Sequence, residues 1–260
     1  MEREVALITG ASSGIGRELT KLFAEYGFDL VLVARNEAAL NEIASQLTAR
    51  QPVSVTVVAK DLSLPQAPEE IYDTLKQDSI AVDVLVNNAG TQVYGALQDT
   101  DTSEQLRLIQ VNLVALTHLT MLFGREMVDR GGGRILNVAS TGAFSPTPLN
   151  AIYCATKAYV LSFSEAIARD LEGTGVTVTC LCPGATETRF AKRAGIENVR
   201  LFQAFVMNAR EVARAGYRGL MSSKTTVVPG VYNQILVSSV RFTPRRLVTR
   251  IGKYLMSRST

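Results

Sequence analysis

Short, nearly continuous apolar runs alternate along this chain with stretches whose apolar residues recur every three or four positions. The runs Val5–Thr9, Asp29–Ala34, Val53–Ala59, Val82–Val86, Arg134–Val138 and Val176–Leu181 predict strands buried on both faces. Between them the spacing predicts helices over Gly14–Tyr26, Glu37–Ala49, Glu69–Lys76, Ser103–Arg130 and Ile152–Glu172. Strands of this kind separated by helices imply an α/β fold, a doubly wound parallel sheet in three α/β/α layers with right-handed crossovers. No linker, repeat or low-complexity stretch divides the chain, so one domain over residues 1–260 is expected.

After Leu181 the pattern changes. Pro183-Gly184 ends the strand, and residues 185–195 read as loop. Ile196, Val199, Phe202, Phe205 and Val206 then predict a helix over Ile196–Met207. A helix over Arg210–Leu220, a strand at Thr225–Val228 and a turn at Pro229-Gly230 follow. Ligands of such sheets bind beyond the carboxyl ends of the strands, so residues 185–208 are expected to form a substrate lid. A small helical extension ends the chain.

Composition narrows the class. The 260 residues are 47% hydrophobic and 20% charged, which excludes a disordered chain or a coiled coil. No uninterrupted apolar run approaches the length of a membrane-spanning helix, and the first apolar run is too short for a signal-peptide core. The formal charge of +3 is unevenly placed, because residues 241–260 carry six basic residues and no acid. The body is therefore mildly acidic, which argues against nucleic acid. Cys154, Cys180 and Cys182 contain no C-x-x-C pair and read as small core residues in a reducing compartment, the cytoplasm. His118, the only histidine, lies in an apolar helical pattern with no partner spaced for a metal site or a Ser-His-Asp triad.

Candidate chemistry begins at Thr9-Gly10-Ala11-Ser12-Ser13-Gly14-Ile15-Gly16, between the first strand and the first helix. Gly10 permits a tight turn, Gly14 clears the approach of a pyrophosphate, and Gly16 lets the helix pack closely. The helix N-terminus then faces the phosphates with free N–H groups. With Asp61-Leu62, Asn87-Asn88-Ala89-Gly90, Asn112, Ser140, Tyr153-Cys154-Ala155-Thr156-Lys157 and Pro183-Gly184 in order, residues 3–190 resemble the single-domain branch of the short-chain dehydrogenase/reductase family. The resemblance implies a Rossmann-type sheet. It also implies a cofactor site formed by Gly10, Ser12, Ser13, Gly14, Ile15 and Gly16, Arg35, Asp61, Leu62, Asn87, Asn88, Ala89 and Gly90. Tyr153, Lys157, Pro183, Gly184, Thr186 and Thr188 complete that expected set.

The cofactor's identity is argued at the end of the second strand. An acid there would bind the ribose 2′-hydroxyl and repel a 2′-phosphate. This chain has Ala34-Arg35, whose guanidinium suits a phosphate, so NADP(H) is favoured over NAD(H). Many NADP-binding relatives also have a basic residue where this chain has Ser13, which leaves the grip mainly to Arg35.

Tyr153 and Lys157 are four apart on one helix face. The lysine ammonium is expected to lower the phenol's pKa toward neutrality and suit it to proton transfer. Ser140 can orient a substrate carbonyl, and Asn112 matches the family's water-holding asparagine. The expected catalytic set is Asn112, Ser140, Tyr153 and Lys157, reducing a ketone or aldehyde. Alcohol oxidation, and a dinucleotide-binding sensor without turnover, stand as alternatives. Tyr94, Phe144, Phe190, Phe202 and Phe205 suggest a large apolar pocket, or else core and subunit contacts. By the same resemblance the two long helices form a homodimer or homotetramer contact. Leu247, Val248, Ile251 and Leu255 predict a helix over Arg245–Ser257 beside a stripe of Arg246, Arg250 and Lys253. Packing on the domain, contact with an anionic membrane and contact with an acidic carrier all stay open for it.

Overall fold

The computed structural model describes residues 3–188, 191–192, 194–203 and 206–258. Seven parallel strands form one sheet in the order β3-β2-β1-β4-β5-β6-β9. They are β1 (Val5–Thr9), β2 (Asp29–Ala34), β3 (Val55–Ala59), β4 (Val84–Asn87), β5 (Gly133–Val138), β6 (Val176–Leu181) and β9 (Thr226–Val227). Alternate strand residues supply two cores. Ala6, Ile8, Leu30, Leu32 and Leu136 pack on the side of α1 (Gly14–Glu25) and α2 (Glu37–Thr48) with Phe23, Leu40 and Leu220. Leu7, Val31, Val33, Leu85 and Ile135 pack against α3 (Ala67–Gln77) and α5 (Leu116–Asp129) through Ile71, Leu75, Leu119 and Phe123. Burial on both faces is why these strands read as unbroken apolar runs.

Local signals set several boundaries. Asn36 accepts a hydrogen bond from Ala39 N at 3.0 Å and caps α2, and Asp101 accepts from Glu104 N at 3.0 Å to cap α4 (Thr102–Ile109). Helix α3 begins two residues before the expected Glu69, because Pro68 lacks the N–H that a first helical turn leaves unpaired anyway. The long helix expected over Ser103–Arg130 is α4, a π-helical stretch at Gln110–Ala115, and α5. Taken together, Thr102–Asp129 is long and apolar enough to cross a membrane by length and composition, contrary to the reading from uninterrupted runs. Leu108, Leu119, Phe123 and Met127 nevertheless lie buried, most of them against the sheet, so one face of this helix packs in the core.

The helix expected over Ile196–Met207 does not form among its described residues. Ile196 and Val199 instead pack with Ala191 and Met256 in a small separate cluster, and only Arg200–Gln203 (α7) is helical. Met207–Asn208 (β8) pairs in parallel with Thr186–Glu187 (β7). The three-residue spacing thus marks anchors into a cluster. Phe190 and Phe205 lie outside the described residues. Helix α6 spans Ala151–Asp170, and α8 (Ala209–Met221) covers the sheet beside α1. The unanticipated α9 (Val231–Val240) precedes the tail helix α10 (Arg245–Leu255).

Candidate active site

Strand order reverses between β1 and β4, and a cleft of about 540 Å3 opens there along the carboxyl ends of the strands. Its floor at one end is the glycine loop. Gly10 and Gly14 take φ of +66° and +57°, a conformation that other residues adopt at a cost. A Cβ on Gly14 would come within 3.0 Å of Thr188, so glycine keeps the loop and Thr188 in contact. A Cβ on Gly16 would collide with the Asn88 amide and the Gly10 carbonyl. Gly16 therefore acts in packing and lies behind the cleft wall, while Gly10, Ser12, Ser13, Gly14 and Ile15 line it. The first turn of α1 faces this end with N–H groups that have no helical acceptor. These features fit the pyrophosphate of a dinucleotide.

Next to the loop, Asn88 Nδ2 donates to Thr9 O at 2.9 Å, and Thr9 Oγ1 accepts from Asn88 N and Ala89 N. This ties β4 to β1 and sets Asn88, Ala89 and Gly90 along the cleft. Asn87 was expected with them, but its side chain is buried away from the cleft. It donates to Thr120 Oγ1 and Asn137 Oδ1, both at 2.9 Å, and locks β4 to α5 and β5. Adjacent strand residues point to opposite faces, which separates the two asparagines.

The Ser140, Tyr153 and Lys157 side chains line the middle of the cleft. Ser140 follows β5, and its Oγ accepts from Gly142 N at 3.0 Å, which holds the turn that carries it. Lys157 is 4% exposed, and its Nζ donates to Val138 O at 2.8 Å. Burial pulls its pKa down to about 8, against weak support from the Cys180 and Cys182 sulfurs. The expected lowering of the Tyr153 pKa is not seen. Desolvation pushes the phenol well above its ordinary value, and only the hydrogen bond with Ser140 opposes it. The lysine nitrogen stands 5.7 Å from the ring centroid. Asn112 sits one wall back, in the π-helical stretch. Its Oδ1 accepts from Thr91 N and its Nδ2 donates to Thr91 O, both at 2.8 Å. Gly90 lies between Asn112 Oδ1 and Lys157 Nζ, where an added Cβ would be 3.4 Å and 3.7 Å from them.

At the outer end Arg35 is exposed on the rim and makes no ion pair with any described residue, with Asp61 and Leu62 close by on the cleft wall. Lys60 also lines this end, paired with Glu70 at 2.7 Å, and its N–H donates to Ala34 O beside Arg35. Sequence reasoning passed over Lys60 although it directly precedes Asp61. Away from Arg35 the wall is Pro183, Gly184, Thr186, Phe202 and Met256, and Thr188 reaches back against Gly14. Of the expected aromatic pocket, Phe202 alone among the described residues lines the cleft. Tyr94 instead donates to Met256 O at 2.6 Å, and Phe144 packs with a cluster around Leu116 and Ala139. Met256 joins the cleft from the far end of the chain, a contact that no local signal announces.

Comparison with known proteins agrees with this geometry. Residues 4–198 match the short chain dehydrogenase family. An uncharacterised oxidoreductase of Staphylococcus epidermidis is 33% identical over 188 residues, covering 72% of this chain and 80% of that one. A short-chain dehydrogenase from Sphingobium yanoikuyae in complex with NADPH superposes with a TM-score of 0.82 at 32% identity, covering 92% and 94% of the two chains. The bulky-bulky ketone specific alcohol dehydrogenase from Comamonas testosteroni gives 0.79 at 29% identity, covering 93% of each chain. The glycine loop at the strand switch, the seven-stranded parallel sheet and these matches together make this chain an oxidoreductase of the short-chain dehydrogenase family.

Proposed function

We propose that the protein reduces the carbonyl of an apolar ketone or aldehyde with NADPH, and runs the same step backwards on the alcohol. The observation that carries this reading is that Ser140, Tyr153 and Lys157 meet in the middle of a cleft that begins at the glycine loop. NADPH, when bound, supplies the hydride. Gly10, Ser12, Ser13, Gly14 and Ile15 would hold its pyrophosphate, Asp61 and Leu62 its adenine, and Arg35 its 2′-phosphate. The NADPH complex of the Sphingobium relative supports that choice of cofactor.

On the substrate side the Ser140 hydroxyl orients the carbonyl oxygen. The Tyr153 hydroxyl donates its proton to that oxygen as negative charge develops there. Desolvation keeps the phenol protonated but makes it a weaker acid, so its transfer of the proton relies on the nearby Lys157 charge stabilising the phenolate. Two donors already in place need no reorganisation. Lys157, whose pKa lies near neutrality, stabilises the phenolate left behind and returns a proton to it. Asn112, whose side chain is engaged on Thr91 behind Lys157, is the residue expected to hold a water for that relay. The described residues Thr186, Thr188, Leu201 and Phe202 of the expected lid, with Met256, close the apolar end of the site. The ketone-specific relative from Comamonas supports a bulky substrate.

The test is NADPH oxidation by the purified protein across a panel of bulky ketones and aldehydes, beside Tyr153→Phe. The wild type turns over at least one of them, and the variant binds NADPH with nearly unchanged affinity yet loses at least a hundredfold in kcat, the low end of general acid catalysis. A Phe variant with wild-type kcat removes Tyr153 as the proton donor.

A further inference from the structure

Beyond the cleft, the chain ends in a surface that the reduction does not use. After Glu211 the sequence contains no Asp or Glu. Arg241, Arg245, Arg246, Arg250, Lys253 and Arg258 crowd residues 241–258, and none of them joins an ion pair among the described residues. Helix α10 carries three stripes. Val248 and Gly252 turn inward, Gly252 against Thr147, and Met256 follows them into the cleft wall. Arg246, Arg250 and Lys253 form an exposed cationic line at positions i, i+4 and i+7. Between these two stripes lie Leu247, Ile251 and Tyr254, which are 45%, 46% and 60% exposed. Packing on the protein accounts for the first stripe and for one face of Tyr254, whose ring lies 4.2 Å from the Arg200 guanidinium, and leaves Leu247 and Ile251. The preceding segment adds Val231, Ile235 and Phe242, at 72%, 64% and 88% exposure.

We propose that α10, together with Phe242 just before it, docks on an anionic phospholipid bilayer. An apolar stripe bordered by cations fits the boundary between acyl chains and phosphate headgroups, where the first is taken out of water and the second meets opposite charge. A second copy of this chain is the poorer occupant, because it would set cations against cations with no acid in the segment to pair them. An acidic protein would meet the cations but leave Leu247, Ile251 and Phe242 without an apolar partner. The docked helix is one piece with the mouth of the cleft. Tyr94 donates to Met256 O, Arg200 N donates to Ser257 O at 3.2 Å, and Val199 bridges Arg258. Delivery of a lipid-dissolved substrate to that mouth rests on the carbonyl-reductase reading, whereas docking does not.

The test uses the full chain, co-sedimented with vesicles of phosphatidylcholine alone or of an equal mixture with phosphatidylglycerol, at low and high salt. Selective, salt-sensitive pelleting with the mixed vesicles is expected. The triple variant Arg246→Glu, Arg250→Glu, Lys253→Glu should partition about a hundredfold more weakly, at roughly fivefold per cation. Leu247→Ser with Ile251→Ser should also weaken binding, at unchanged net charge. All these side chains are exposed, and thermal melts matching the wild type verify that each variant is folded. Equal pelleting with both vesicle types, or wild-type binding by the triple variant, overturns the proposal. So does retention on immobilised polyglutamate without vesicle binding, which makes the occupant an acidic protein. A fall in mass of the apolar variant by light scattering, with no vesicle binding by the wild type, overturns it in favour of a contact between copies.

Discussion

Lys157 is a buried cationic residue held at a cost in stability. Its pKa falls from 10.5 to about 8 on folding, so the charged form is disfavoured by about 3 kcal/mol at neutral pH. Its hydrogen bond to Val138 O returns about 1 kcal/mol. Between pH 8 and 10.5 the unfolded lysine binds a proton that the folded one has released, so this residue makes stability rise with pH across that window. Below pH 8 both states are protonated and the full penalty applies. Lys157→Met is therefore expected to be about 2 kcal/mol more stable than the wild type at pH 7, with the gap closing by pH 10, while activity is lost. Denaturant melts at several pH values measure this, and a gap that does not change with pH would show that Lys157 is not held at a lowered pKa. Arg35 is the matching case at the rim. With no acid at Ala34 and no partner for its guanidinium among the described residues, Arg35→Asp should reverse the preference for NADPH over NADH in binding titrations. Equal affinities in the wild type would remove the basis for that preference. Both residues were readable in the sequence, since each sits at a fixed place beside a strand end. The pKa of Tyr153 was not, because desolvation depends on what the whole fold stacks around the hydroxyl.

The glycine loop and the first helix act as one element. A methyl group at Gly16 has nowhere to go, because the Asn88 amide and the Gly10 carbonyl occupy its place and both are fixed by β1–β4 pairing. Gly16→Ala should cost 1–3 kcal/mol by the usual scale of overpacking. It should also weaken NADPH binding, since relief moves the loop that faces the phosphates. Unchanged melting temperature and cofactor affinity would show that α1 can shift freely. This element was readable because strand, turn and helix follow one another within a few residues. The segment after Leu181 was not. Its apolar spacing of three mimicked a helix, yet Ile196 and Val199 serve as anchors for Met256, which is distant in sequence, and Met207 N donates to Ala185 O at the small β7–β8 pair. Periodicity reports local geometry, and it fails where the partner is distant in the chain. The same limit hid Met256 from the list of site residues.

At the scale of the whole molecule, the helix from Thr102 to Asp129 is more apolar than its place in one chain requires. Only 39% of its most apolar stretch is buried. Leu106, Val114 and Met121 stand 60%, 39% and 46% exposed along it, and Tyr159 of α6 is beside it, with its hydroxyl 3.1 Å from Thr117 Oγ1. Tyr159 in turn stacks on Phe163 with ring centroids 5.6 Å apart. A groove between α5 and α6, lined by Met121, Gly124, Phe163 and Ile167, runs next to these side chains. An apolar surface spread over two long helices lying side by side is suited to the same surface of a second copy, which would make a four-helix contact with a twofold axis. This face is separate in sequence from the cationic tail, so the two surfaces can be tested apart. We expect the wild type to be a dimer or tetramer, with a mass in light scattering that is a multiple of 28.2 kDa. Met121→Arg with Tyr159→Arg should break that contact and leave the folded monomer, because burying two unpaired cations costs more than rim contacts return. A wild-type mass of one chain at micromolar concentration would mean that the exposed stripe is tolerated without a partner.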